Sequence, residues 1–282
     1  MEDVTDTVFR RVVASCGRPD VFFTEFIHAD IVLRPRGNRP GVTPRLEFTP
    51  LERPLVAQIW GSDPDSYARA SVRLARMGFD GVDINMGCPV RKIRKKGACS
   101  ALIRTPALAA ELVAAAKEGG LPVSVKTRIG FDRPQTEAWV GHLLEQGLDA
   151  LTVHGRWAEQ ESEGRADWSE IARAARLRRE MGVATAVLGN GDVTSRAQID
   201  ELSERYDLDG VMVGRGVFAD PYLFATDGRG GTFASAPPEE KIGLLLRHLR
   251  LYREAWGQTR NYEILKKFYK VYLVAFDGAD EL

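Results

Sequence analysis

The feature that most constrains this chain is a recurrence of seven short apolar runs, each separated from the next by room for one helix. The runs are Val21–Ile27, Leu55–Trp60, Gly81–Asn85, Val123–Arg128, Leu151–His154, Thr185–Gly189 and Gly210–Gly214. Most are near-continuous rather than alternating, as expected of parallel strands covered by helices. Helix signals fill the gaps. Asp63-Pro64 opens a helix through Met77, with Pro64 in its first turn. Thr105-Pro106 opens an Ala-rich helix through Glu118, and Thr194 or Ser195 caps another to about Arg205. Serial βα units of this kind predict a TIM (β/α)8 barrel. A closed barrel needs an eighth strand, and it must precede Val21. There Thr7–Cys16 reads as a helix with only Met1–Asp6 before it, so the first strand is expected to be cut short.

After Gly214-Arg215-Gly216 the pattern changes. Gly228, Gly230, Gly231 and Ala236-Pro237-Pro238 form a linker, and an amphipathic helix starts near Pro238. Its apolar positions are read as Ile242, Leu245, Leu246, Leu249 and Tyr252. A second helix is expected over roughly Tyr262–Ala275. Two helices make a poor independent core, so they should pack on the barrel or belong to a bundle unfinished at Leu282. The expected division is a catalytic barrel over residues 1–235 and a small helical domain over 236–282.

A chain of 282 residues suits one barrel with an appendage. No apolar run approaches the roughly 20 residues of a membrane span. Met1–Arg10 has no apolar secretory core. Cys16, Cys88 and Cys99 lack metal or disulfide-framework spacing. These features point to a cytoplasmic, thiol-reduced protein with no membrane partner and no metal, working as a monomer by default. Net charge is zero, so a nucleic-acid partner must be sought in local clusters. One is Arg91, Lys92, Arg94, Lys95 and Lys96. Another is Lys241, Arg247, Arg250, Arg253, Arg260, Lys266, Lys267 and Lys270, against Glu254 and Glu263. Either alone reads as a solvated face.

Barrel chemistry sits at the C-terminal strand ends. Those ends carry Gln58, Asn85 with Cys88, Lys126 with Arg128, His154 with Arg156, Asn190 with Asp192, and Gly214 with Arg215. Any one is ordinary, whereas six in succession are not. Gly189-Asn190-Gly191 and Gly214-Arg215-Gly216 put close-approach backbone after the last two strands, where such barrels bind phosphate. Lys126 lies inside an apolar strand and needs an anionic or carbonyl partner: a Schiff-base aldolase and a lysine facing a flavin ring both fit. His154 could serve either. Cys88 is fixed between Gly87 and Pro89, and a thiol of ordinary pKa can donate a proton as well as attack. Cys16 and Cys99 are read as inert fillers.

Asp83-Ile84-Asn85-Met86-Gly87-Cys88-Pro89, with its basic sequel and Gly97 to Leu102, resembles the signature of the tRNA-dihydrouridine synthases. Further agreement lies in Met1 to Asp6, Thr24-Glu25, Gln58 to Gly61, Val125 to Gly130, His154-Gly155-Arg156, Gly164 with Ala166-Asp167-Trp168, Gly189 to Asp192 and Val211 to Gly216. Departures are the absence of Ala-Pro before Met1-Glu2, the early end of the helical region, and Trp157 in place of a frequent threonine. The resemblance implies flavin mononucleotide (FMN), with Gln58, Lys126 and His154 at the isoalloxazine ring. It places Asn190, Gly191, Gly214 and Arg215 at ribityl and phosphate, and Asn85 near flavin and substrate base. NADPH would reduce the flavin, hydride would pass to uracil C6, and Cys88 would protonate C5. Arg91, Lys92, Lys95, Arg128, Arg156 and the basic helices would meet tRNA. The alternatives are a flavin reductase of a free pyrimidine, against which the basic clusters argue, and a tRNA-binding protein without catalysis, for which Cys88, Lys126, His154 and Arg215 would be superfluous.

Overall fold

The computed structural model describes residues 3–34, 43–226, 232–257 and 259–281. Met1 and Glu2 of the N-terminal motif and Gly228, Gly230 and Gly231 of the linker lie outside them. Eight strand segments form one parallel sheet: β1 Phe22–Phe23, β2 Ile27–His28, β3 Leu55–Trp60, β4 Gly81–Met86, β5 Val123–Arg128, β6 Ala150–His154, β7 Ala186–Asn190 and β8 Gly210–Met212. From β3 onward each strand pairs with the next in sequence, the order of a (β/α)8 barrel.

β1 and β2 both pair with β3, Phe22 opposite Leu55 and Ile27 opposite Ile59, so they are two pieces of one strand. The run Val21–Ile27 breaks at Thr24, whose hydroxyl accepts the Gln58 backbone N–H at 3.0 Å in place of a ladder carbonyl. The sheet therefore fills seven positions. No pairing joins β8 to β1 among the described residues.

The helices begin where the sequence signals them. Asp63 caps Pro64–Met77 through Ser66 N, and Ser195 caps Arg196–Tyr206 through Gln198 N. Pro106–Lys117 starts after Thr105, which makes no side-chain cap bond. At the opposite end of the sheet from the site, one device recurs. Asp80, Asp149 and Asp209, each just before a strand, accept an N–H at the start of the preceding strand: Leu55, Val123 and Val187, at 2.8, 2.7 and 2.7 Å. Three carboxylates thus lock the register of alternate strands.

Helix Pro238–Trp256 packs on helix Thr7–Cys16. Phe9, 2% exposed, lies 5.0 Å from the Phe268 ring and 5.5 Å from that of Phe218. Full burial of such a ring contributes about 2–3 kcal/mol. The buried face of the long helix differs from the one expected. It comprises Lys241, Leu244, His248, Leu251 and Tyr252, while Leu246 is 52% exposed. Burying the two polar groups is affordable because both are satisfied. Lys241 Nζ donates to the carbonyls of Ala234, Val274 and Ala275, and His248 Nδ1 meets the Tyr272 hydroxyl at 2.8 Å. Lys241 is thereby removed from the basic surface. The last helix is shorter than expected: a 3-10 turn, Tyr262–Leu265, leads into Lys266–Tyr272.

Candidate active site

The curled sheet encloses a cavity of about 1200 Å³, lined at the strand C-termini by Gln58, Asn85, Cys88, Lys126, Arg128 and His154. Parallel register brings them together: Asn85 pairs with Lys126, Arg128 with His154, and His154 with Asn190. Arg156, Asn190, Gly191, Gly214 and Arg215 line the same cavity, whereas Arg91, Lys92 and Lys95 are exposed beside it.

Gln58 and Asn85 are held by a chain of bonds that starts at a carboxylate overlooked in the sequence. Asp83, fully buried, accepts Ser124 Oγ at 2.6 Å and Gln58 Nε2 at 2.7 Å. Gln58 Oε1 then accepts Asn85 Nδ2 at 3.0 Å. Asn85 Oδ1 in turn accepts the backbone N–H groups of Gly87 and Cys88 at 3.1 and 3.0 Å, which folds the Asn-Met-Gly-Cys-Pro turn back on itself. Burial pushes the Asp83 carboxyl up to about 6, against the pull of its two donors and of Lys126. Period-two patterning marks Asp83 as inward-facing, so its place in the strand was the available signal.

The cysteine turn is also clasped from outside. Arg128, 5% exposed, donates through Nε to Gly87 O at 2.7 Å and through Nη1 to the Trp157 and Glu161 carbonyls at 3.1 and 2.7 Å. Ser100 donates through Oγ to Cys88 O at 2.8 Å.

Four cations converge on His154. Burial first, then Lys126, Arg128, Arg156 and Arg215, lower its pKa to about 2, so the ring is neutral at physiological pH. Arg156 Nη1 lies 3.1 Å from His154 Nε2. A guanidinium only donates, so Nε2 is the acceptor and the ring proton sits on Nδ1. Arg156 is itself 2% exposed and occupied by the Glu163 and Gly164 carbonyls and by Asp192, at 2.7 Å to Oδ2. It stands behind His154 and orients it. Lys126 is half-buried, and burial with Arg128 nearby lowers its pKa to about 8.

Gly191 has φ +136°, and a Cβ there would lie 2.5 Å from Ala166 Cβ, so no larger residue fits beside His154. A Cβ on Gly214 would meet nothing within 4 Å, leaving open space next to exposed Arg215. Asn190 Nδ2 donates to Met212 O at 2.8 Å and ties β7 to β8 at that point. Among the described residues no cluster of three or more His, Cys, Asp or Glu could hold a metal. None of the described helices is long and apolar enough to cross a membrane.

Comparison with known proteins agrees with this geometry. The chain is similar in fold to histamine dehydrogenase from Rhizobium sp. 4-9, with TM-score 0.59 and 13% identity, over 87% of this chain and 46% of that one. Likeness at that identity reports the barrel alone. Sequence relatives are nearer. The chain is 44% identical over 284 residues to "Probable tRNA-dihydrouridine synthase 2" of Bacillus subtilis (strain 168), covering 100% of this chain and 86% of that protein. It is 43% identical over 284 residues to "Probable tRNA-dihydrouridine synthase" of Staphylococcus aureus (strain COL), covering 100% and 85%. The family description "Dihydrouridine synthase (Dus)" matches residues 1–282, and the chain belongs to this family of enzymes.

Proposed function

We propose that this enzyme reduces uridine to 5,6-dihydrouridine in tRNA with FMN bound in the barrel mouth and NADPH as electron donor. The observation that carries the reading is the convergence of Lys126, neutral His154 and the clasped Cys88 turn on one cavity bordered by exposed cations. The residues present fit FMN. Four positive side chains surround His154, and the space beside Gly214 and Arg215 is open to a phosphate. When bound, the flavin supplies hydride to uracil C6.

The protein's own residues do the rest. Asn190, Gly191, Gly214 and Arg215 hold ribityl and phosphate. Gln58, fixed by Asp83, presents a pre-oriented amide to the ring, and Lys126 supplies positive charge that an anionic neighbour makes more basic. His154 contributes a neutral imidazole of set tautomer through the Arg156 brace. Asn85 fixes the cysteine turn at the substrate side, and Cys88 delivers a proton to uracil C5. Lys126 and Arg128 both sense charge on Cys88, so they stabilise the thiolate left behind. A uracil must leave its stack to reach this cavity, at about a few kcal/mol, least in a loop. Arg91, Lys92 and Lys95 meet tRNA phosphates, and residues 236–282 extend that surface through exposed Arg247, Arg250 and Arg253.

The test is the visible spectrum of the purified chain, NADPH addition without oxygen, and then tRNA. Flavin bands that bleach with NADPH and return with dihydrouridine formation are expected. Cys88→Ala should keep the bleaching and tRNA binding but lose most turnover. A chain that stays colourless with FMN supplied would overturn the cofactor. Normal turnover by Cys88→Ala would remove the proton donor.

A further inference from the structure

Strands β2 and β3 end side by side on two aromatic residues that the cavity does not use. His28 pairs with Trp60, and Ile59 pairs with Ile84, so Trp60 stands level with Asn85 on the neighbouring strand. Period-two alternation puts Trp60 on the same face as Val56 and Gln58, which line the cavity. Trp60 itself does not line it; two residues beyond Gln58, it stands at the rim. The His28 and Trp60 rings lie 4.5 Å apart at 81°, an edge-to-face arrangement that fixes the indole plane. His28 is held in turn, its Nδ1 accepting the Asp30 N–H at 3.2 Å. Both rings remain partly exposed. Cations surround them. Ser62 Oγ donates to Lys96 O at 3.4 Å, which docks the end of the basic run on the loop that follows Trp60. Burial lowers the His28 pKa against the pull of Asp30, and exposed Lys96 and Arg34 are near enough to lower it further.

We propose that Trp60, braced by His28, is a stacking platform for the tRNA nucleobase next to the uridine that enters the cavity. The inference rests on the reading of tRNA as substrate. A surface that only holds phosphates needs cations alone. An indole fixed among them adds a π-face on which an unstacked base can settle. A uridine drawn out of its stack leaves its neighbour uncovered on one side, and an aromatic ring at the rim replaces the lost contact. Because the indole lies outside the cavity, it meets that neighbour rather than the uracil or the flavin.

The experiment is the affinity for an unmodified tRNA transcript, measured by filter binding over a range of salt with the flavin-loaded enzyme. It compares the wild type with Trp60→Phe, Trp60→Leu and Trp60→Ala, and the flavin spectrum reports folding of each. The Leu and Ala variants should lose about five- to hundredfold in affinity, whereas Phe, which keeps a ring, should stay within about threefold of the wild type. All four should show the same salt dependence, because no charge is removed. Unchanged affinity in the Ala variant would overturn the proposal. So would a Leu variant that binds as well as Phe, since apolar volume and not a ring would then be the cause. Flavin lost from all three variants alike would overturn it too, by placing the indole in the cofactor site. A wild type that binds tRNA without reducing uridine would refute the proposed reaction yet leave these affinities to judge the platform, so the two failures are separable.

Discussion

Lys126 is placed where it destabilises the empty protein, and replacing it should show how much. Its ordinary pKa of 10.5 falls to about 8 in the fold, first through burial and then through Arg128. That difference of roughly 2.5 units, at about 1.4 kcal/mol per unit, is about 3 kcal/mol of penalty on the charged side chain at neutral pH. Partial exposure of Lys126 and its attraction to Asp83 reduce the net figure to about 1–2 kcal/mol. The sign follows from the lowered pKa. The penalty is fully present below about pH 8 and fades as pH rises toward 10.5, where the lysine is neutral in both states. Lys126→Met keeps the volume and removes the charge. In the flavin-free form it should unfold about 2–6 °C higher at pH 7. The gap should shrink by pH 10, while uridine reduction is lost. Thermal unfolding followed by circular dichroism at the two pH values measures it. Equal melting at pH 7, or a gap that stays constant with pH, would refute the claim that this lysine is held in place against its own solvation.

The brace behind His154 predicts that Arg156→Ala costs about 2–4 kcal/mol in denaturant unfolding, since the Gly164 carbonyl loses this donor while Asp192 keeps Ala166 N and the Glu163 carbonyl keeps Gln160 Nε2. It should also lower kcat at least about tenfold, and Arg156→Lys should not rescue it, because one ammonium cannot replace the fork. Lys92→Ala with Lys95→Ala should weaken tRNA binding in proportion to the charge removed, with a shallower salt dependence. Unchanged affinity at low salt in a filter-binding titration would return that run to solvent. Glu52, fully buried, accepts Arg10 Nε at 2.6 Å, Thr7 Oγ1 at 2.6 Å and Thr49 N at 2.7 Å. Glu52→Gln should therefore destabilise the protein by about 3–5 kcal/mol, read from its urea midpoint.

What was legible in the sequence follows one physical line. Continuous apolar runs are sufficient to place parallel strands, and a polar residue ending such a run is sufficient to place it at the mouth. Gln58, Asn85, Lys126, His154 and Asn190 were readable for that reason, and the register brings them together. Polar groups satisfied across long separations were not readable. Thr24 interrupts a strand by offering its hydroxyl to Gln58 N, a bond no local pattern announces. Lys241 and His248 turn the long helix so that two polar side chains lie inside and Leu246 outside, against hydrophobic spacing. Their partners, Val274 and Tyr272, stand 33 and 24 residues away. Asp83 was half readable: its place in the strand marks it as inward-facing, but its bond to Ser124 on the neighbouring strand comes only with the fold. Hydropathy counts each of these side chains for or against burial by its type. Burial is decided by whether its hydrogen-bonding atoms find partners, which only the closed fold supplies. The residues that line the cavity could thus be found by their position on strands. The bonds by which Asp83 and Arg156 position them required the three-dimensional pairing.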